Sequence, residues 1–263
     1  MTLAGTDAAR FVDLHMHSTA SDGALAPGAV VAAAVKARLS LMSLTDHDTA
    51  GGVAEARTAA EELGIEVAAG IELSAHDGEK EVHLLGLHLL RLDVMEARAI
   101  EFRAARERRG ALMVQALNAG GIPVTIEAVQ AHSAGGAMGR PHVARAIIAG
   151  GWARDMREAF DKWLGNGRPA CIAKERLEIG EAIALVHASG GIAVFAHPGN
   201  DGDRGRVERL AALGLDGLEV RHPSQGADEV ERLTALCEEF GLVLSGGSDW
   251  HGIVNGPRVL GGQ

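Results

Sequence analysis

Apolar residues follow two alternating rhythms along this chain: short unbroken runs, and longer Ala-rich stretches with helical spacing. Phe11–His17, Leu39–Leu44, Glu66–Ile71, Val82–Leu89, Ile192–Ala196, Gly217–Arg221 and Leu242–Ser245 read as strands. Pro27–Arg38, Gly51–Leu63, Glu178–Ser189, Asp203–Leu213 and Gly226–Phe240 read as helices. Pro27 falls in a first helical turn, where a missing N–H breaks no bond. Strands separated by helices imply parallel βαβ units, and seven such strands predict an α/β fold, a closed or nearly closed β/α barrel. Residues 95–177 interrupt the series. Met95–Asn118 reads as a long Arg-rich helix, followed by shorter ones at Ile126–Ala131, Pro141–Ala149 and Arg154–Leu164. The expected organisation is a barrel built from 11–94 and 178–263, with a helical insertion over 95–177 capping its active site.

Composition narrows the function. The 263 residues, 47% of them hydrophobic, suffice for one barrel-sized domain carrying an insertion. A formal net charge of -10 argues against a general nucleic-acid or membrane-surface binder. It leaves room for an anionic substrate, because bound metal reverses the local sign. Aromatics are 3% and tyrosine is absent, so stable binding of long nucleic acid by base stacking is not expected. No run of 18 apolar residues and no signal-like stretch at 1–10 occurs, so no membrane association is expected. Cys171 and Cys237 lack any CxxC neighbour, which fits a reduced, cytoplasmic protein. The compositional excess is in histidine, of which there are 12.

Those histidines collect at strand ends. His15 and His17 close the first strand in Asp13-Leu-His-Met-His, and a spacing of two puts both rings on one face. Two imidazoles aimed at one point suit a divalent ion. Asp22 lies in a Ser-Asp-Gly turn and by itself reads as a turn-former. The second strand ends in Thr45-Asp46-His47-Asp48, the third in Gly-Ile-Glu72. On the fourth, His83 and His88 fall on opposite faces, so at most one belongs to an interior site. Strand five ends in Ala196-His197-Pro198-Gly199, strand six in Glu219-Val-Arg221-His222, strand seven in Ser248-Asp249-Trp-His251. Almost every strand delivers metal-competent groups at its C-terminal end, the face on which β/α barrels build active sites. Without a ligand, burying so many polar groups together would be costly. Elsewhere, His76 and His132 read as loop residues facing solvent, and His187 as a packing residue on a helix facing the barrel.

The HxH, TDHD, lone Glu, AHPG and SDxH elements, in this order, resemble the PHP (polymerase and histidinol phosphatase) family. The inserted Gly139-Arg140-Pro141-His142 is similar to its subgroup of nucleoside 3',5'-bisphosphate phosphatases and 5'-to-3' exoribonucleases acting on short RNA. The resemblance implies a distorted seven-stranded β/α barrel and two to three divalent ions, manganese, iron or zinc. Carried over by motif, one ion would use His15, His17, Glu72 and Asp249. A second would share Glu72 as a bridge with His83 and His197, and a third would use Asp22, His47 and His251. Asp46 would stand behind a ligand as support.

On charge grounds, such a pocket would ionise a water shared between two ions, making a bridging hydroxide held through Glu72 the nucleophile. Arg140, just before Pro141 at a helix start, combines a guanidinium with free backbone N–H groups and suits a phosphate. His142 belongs to the same element, and His222 is a candidate phosphate contact or acid for the leaving oxygen. Cys171-Ile-Ala-Lys174 departs from the subgroup, where an aromatic-containing segment would be usual, and Lys174 is a further candidate for phosphate. The expected substrate is a small phosphorylated molecule, a nucleotide. Histidinol phosphate is the alternative, and a non-catalytic metal-binding module supporting a partner is the alternative of another class.

Overall fold

The computed structural model describes residues 11–132, 138–173, 176–253, 256 and 258–261. The chain divides into two compact units, Met1–Ala97 with Leu177–Gln263, and Arg98–Arg176.

The first unit is built on one seven-stranded sheet whose spatial order follows the sequence. Its strands are β1 (Phe11–Asp13), β2 (Leu39–Leu44), β3 (Glu66–Asp77), β4 (Lys80–Leu87), β5 (Ile192–Phe195), β6 (Gly217–Arg221) and β7 (Val243–Gly246). Helices α1 (Pro27–Lys36) and α2 (Val53–Leu63) link the first three strands. Val30, Val31 and Ala34 of α1 and Ala56 and Ala60 of α2 bury against Met42 and Leu44 of β2, removing the apolar face of each helix from water. Leu85 and Leu87 of β4 cluster with Val194 and Ala196.

The sheet is mixed, which corrects the all-parallel expectation. β4 runs antiparallel to both β3 and β5, whereas every other pairing is parallel. The cause is local: β3 continues to Asp77 and only Gly78-Glu79 separates it from β4. A two-residue link can form a hairpin but never a parallel crossover. Gly78 takes the positive φ, 62°, that such a turn requires.

β1 is shorter than expected. Beyond it, Leu14 donates to Gly246 O, Asp249 to His15 O and His17 to Trp250 O, and Met16 bridges Trp250. The chain past β1 is thus extended alongside the chain past β7. Gly247 permits the approach, since a Cβ there would lie 2.3 Å from His15 Cβ.

The second unit is helical. The remainder of α3 (Leu92–Ala119), α4 (Ile126–Gln130), α5 (Arg140–Ala149) and α6 (Met156–Ala159) precede a π-helical turn at Phe160–Leu164. Met113, Leu117, Val129, Val143, Ile147 and Leu164 belong to a core of its own. The chain returns to the sheet of the first unit through α7 (Ile179–Ala188), α8 (Arg204–Ala212) and α9 (Ala227–Phe240). No helix among the described residues is long and apolar enough to cross a membrane.

Candidate metal centre

The site assembles around one buried carboxylate. Glu72, 1% exposed, sits mid-strand in β3, and its two oxygens face two different groups of imidazoles. Oε2 lies 3.2 Å from Nε2 of both His15 and His17 and 3.1 Å from His47 Nδ1. Oε1 lies 2.7 Å from His83 Nδ1 and 3.1 Å from His197 Nε2. Register explains His83: it pairs with Ser74, two residues from Glu72, so both side chains leave the same face of the hairpin. His88 is exposed, leaving His83 as the strand's contribution. His15 and His17 share a face because the Leu14–His17 stretch is extended, while Met16 between them is fully buried in the α1/α2 core.

Three groups of ligand atoms lie within 4.8 Å of one another: His15, His17, Glu72 and Asp249; His47, Glu72 and His83; and His17, Asp22, His47 and His251. Asp249 Oδ1 stands 3.0 Å from His17 Nε2 and 3.5 Å from His15 Nε2. Asp22, 56% exposed at its side chain, lies 3.4 Å from His251 Nε2 and 3.9 Å from His47 Nε2. His197 falls outside these three groups yet contacts Glu72 and lies 3.3 Å from His83.

The donor set fits divalent ions. His15 Nε2, both ring nitrogens of His17, His47 Nδ1 and Glu72 Oε2 are buried without a hydrogen bond. They are close to one another but wrongly angled to satisfy each other, and burying them is costly without a further partner. Oxygen and imidazole ligands without thiolate suit manganese, iron or zinc.

Charge within the cluster is self-consistent. Burial works against ionisation of Glu72, yet the imidazoles, His15 foremost, hold its carboxyl well below the ordinary range. Burial also opposes protonation of His15 and His17, but Glu219 and Glu72 raise the first, and Asp249 and Glu72 the second. Asp249 is likewise depressed against its burial, chiefly by His17 and His222. Asp22 falls to about 2, with His251 overcoming its burial. Burial pushes His47 down. Carboxylates therefore hold cationic partners where ions would compete for the same atoms.

Supporting contacts fix the ligands. Glu219, on β6 and fully buried, meets His15 Nδ1 at 2.9 Å and accepts from the His197 backbone N–H at 2.6 Å. It sets the His15 tautomer and leaves Nε2 to face Glu72. His251 Nδ1 faces Asp249 O at 2.9 Å, freeing its Nε2 in the same way. Asp46 acts differently from the expected support behind a ligand. It accepts from Ser18 N, Ser18 Oγ and Ser21 Oγ, each at 2.7 Å, and so pins the loop between His17 and Asp22 rather than a ring. His222 is buried, with Nε2 3.4 Å from Asp249 Oδ2. The Ser224 backbone N–H donates to its Nδ1 at 3.2 Å, so the neutral ring carries its proton on Nε2.

Two residues of the site lie outside the sequence motifs: Glu219, in the sequence only part of a strand end, and Arg258, whose Nη1 lies 2.6 Å from Asp249 Oδ2. The available signal for Glu219 was a lone carboxylate inside an apolar strand run, which must find a partner when buried. Other histidines also depart from expectation. His76 is buried within β3, where its backbone N–H donates to Leu177 O at 2.8 Å. His132 is half-buried in a turn. His187 is exposed at the end of α7 and pairs with Asp216 at 2.8 Å.

In the second unit, Arg140 opens α5 with its guanidinium 5.9 Å from the centroid of the Phe160 ring. His142 Nδ1 accepts from the Gly139 backbone N–H at 3.1 Å, capping the helix. Lys174 lies outside the described residues.

A mixed sheet whose strand ends converge several imidazoles on one shared carboxylate defines an α/β protein with a candidate polynuclear metal centre. The family model for the PHP domain matches residues 13–165, and the chain belongs to that family. It is 36% identical to a 5'-3' exoribonuclease of Haemophilus influenzae over 91% of this chain and 89% of the relative. It is 35% identical to a 3',5'-nucleoside bisphosphate phosphatase of Chromobacterium violaceum over 95% and 90%. A solved structure from Bifidobacterium adolescentis, provisionally described as a metal-dependent phosphoesterase, superposes with a TM-score of 0.74 at 32% identity, covering 97% of this chain and 92% of that one.

Proposed function

We propose that this chain is a metal-dependent phosphoester hydrolase that removes the 3'-phosphate from nucleoside 3',5'-bisphosphates and also trims short 5'-phosphorylated RNA. The observation that carries the reading is Glu72, whose two oxygens serve two separate groups of imidazoles from within the core. That is the arrangement expected of a carboxylate bridging two ions. The relatives matched over nine-tenths of this chain, named for nucleotide and RNA substrates, support the substrate class.

In this reading His15, His17, Glu72 and Asp249 would hold one ion; Glu72, His83 and His197 a second; Asp22, His47 and His251 a third. When bound, manganese, iron or zinc supplies Lewis acidity toward a phosphoryl group and a nucleophile at neutral pH. The protein's own part is orientation. Glu219 fixes His15, Asp46 fixes the Asp22 loop, and His222 presents an Nε2–H beside Asp249, from which it would donate a hydrogen bond to the phosphate or the leaving oxygen. Arg140 is the candidate for gripping the phosphate that is not cleaved.

The test is phosphate and nucleotide release, with each metal added, from three substrates: a nucleoside 3',5'-bisphosphate, histidinol phosphate and a short 5'-phosphorylated RNA. The bisphosphate is expected to exceed histidinol phosphate at least tenfold in kcat/KM. The reverse order overturns the substrate assignment, and no hydrolysis with any metal overturns the activity.

A further inference from the structure

Arg258 grips one residue twice. Its Nη1 lies 2.6 Å from Asp249 Oδ2 and donates to the Asp249 carbonyl oxygen at 2.7 Å. The same nitrogen is 3.3 Å from His251 Nδ1. The segment that carries it is anchored nearby: Gly261 N–H donates to Asp13 Oδ2 at 3.1 Å. The other oxygen of Asp13 accepts from the Ser248 and His15 backbones at 2.9 and 3.3 Å. One buried carboxylate therefore ties together the segment bearing Arg258, the residue before Asp249 and the first histidine of the cluster.

The grip divides the Asp249 carboxylate. Oδ2 is held by Arg258 and approached by His222 at 3.4 Å. Oδ1 is the atom facing His17 Nε2 at 3.0 Å and His15 Nε2 at 3.5 Å. Asp249 also holds a left-handed backbone, φ 50°, a conformation that needs external support in a residue with a side chain. The carbonyl contact from Arg258 falls on this same residue.

We propose that Arg258 is a positioning residue of the metal centre: by occupying Oδ2 and the carbonyl of Asp249, it leaves Oδ1 as the single oxygen presented to the ion site shared with His15, His17 and Glu72. The proposal rests on reading that cluster as a metal site. It also makes a prediction of sign. A guanidinium beside a ligand carboxylate repels cations, so an Arg258 that contributed charge alone would weaken metal binding, and its removal would tighten it. An Arg258 that positions the ligand strengthens binding, and its removal weakens it, by about tenfold or more if it resembles other outer contacts of metal ligands. Its contacts among the described residues run through one nitrogen, so a lysine ammonium substitutes in part.

The test is calorimetric titration of the metal-free full-length chain with Mn2+, for the native protein, Arg258→Ala, Arg258→Gln and Arg258→Lys, with far-UV circular dichroism as the check on folding. The expected result is a Kd raised about tenfold or more in Arg258→Ala and Arg258→Gln, with Arg258→Lys lying between these and native. The Mn2+ concentration for half-maximal activity should rise in step. If Arg258→Ala fails to fold, the sign of the change in Arg258→Gln decides. Native uptake with unchanged or tighter binding in the uncharged variants overturns the positioning role alone. Absence of Mn2+ uptake by the native chain overturns the metal-centre reading and this role with it.

Discussion

Glu72→Gln is the sharpest perturbation of the centre, because it preserves volume while removing one charge and one oxygen. Glu72 Oε1 serves His83 and His197, and Oε2 serves His15, His17 and His47. Glutamine can offer a carbonyl oxygen to one group only, and the other group then meets an amide NH2, which repels a cation. A contact to a charged group contributes roughly 1.5–3 kcal/mol. Losing the charge toward both groups therefore costs about 3–6 kcal/mol, or roughly two to four powers of ten in combined metal affinity. The fold should survive, since Glu72 keeps its backbone bonds, donating to Asp46 O at 3.2 Å and accepting from Asp48 N at 2.8 Å. Elemental analysis after desalting should show at least one ion fewer than native, Mn2+ calorimetry the loss of affinity, and turnover should be lost. Glu72→Ala should behave likewise. A Glu72→Gln protein with native metal content and a near-native rate would refute the bridging role.

Three further outcomes test the proposed function. Arg140→Ala should lower kcat/KM for a nucleoside bisphosphate by about one to two powers of ten, with a much smaller loss on a phosphomonoester that lacks the second phosphate; equal losses would place Arg140 at the scissile group instead. Mn2+ at 100 times its Kd should stabilise the chain by about 2.7 kcal/mol per site, raising Tm by roughly 5–10 °C in differential scanning calorimetry, and a chelator should reverse the shift. In the metal-free protein His15, His17 and His83 are raised despite burial, by Glu219, Asp249 and Glu72. Their stabilisation is then present below their unfolded value, near 6.5, and lost as pH rises through the folded values. Metal binding has the opposite dependence, because the ligands must be deprotonated, so Tm between pH 6.5 and 9 should fall without metal and fall less with it; parallel curves would count against shared ligands.

Much of this was legible because the physics is local. Leu39–Leu44 and Gly217–Arg221 match the expected strands to the residue, since each is a short stretch of apolar residues interleaved with polar ones and bounded by helical pattern. The expected histidines and carboxylates of the first unit converge because strand ends bring them to one place. What escaped was long-range or depended on chain direction. β4 was placed but not oriented, although Asp77-Gly78 between two β-rich runs is a hairpin signal. Glu219 was in view but unassigned, because its partner His15 is 204 residues away. Arg258 carries no motif, and only the fold brings it to Asp249.

The same site shows what the scaffold gives up for that convergence. Two of its ligand residues hold positive φ without being glycine, His197 at 30° and Asp249 at 50°, as does Asp48 at 51° beside His47. Such positions cost of order 1–3 kcal/mol each and persist only where surroundings over-determine them. The surroundings are visible for each. Asp48 accepts from Ser74 N and Ser74 Oγ at 2.8 and 3.0 Å. His197 donates its backbone N–H to Glu219 at 2.6 Å, and Arg258 holds Asp249 from both its side chain and its carbonyl. His197 is held through its backbone, Asp48 through its side chain and Asp249 through both, each just past a strand end, where a chain leaving the sheet would otherwise carry its side chain away. For the ligands His197 and Asp249, ions that drew them toward Glu72 would favour the strained conformers, and the clamps would spare the ions that ordering cost. Weakening a clamp should lower metal affinity without removing a single ligand atom.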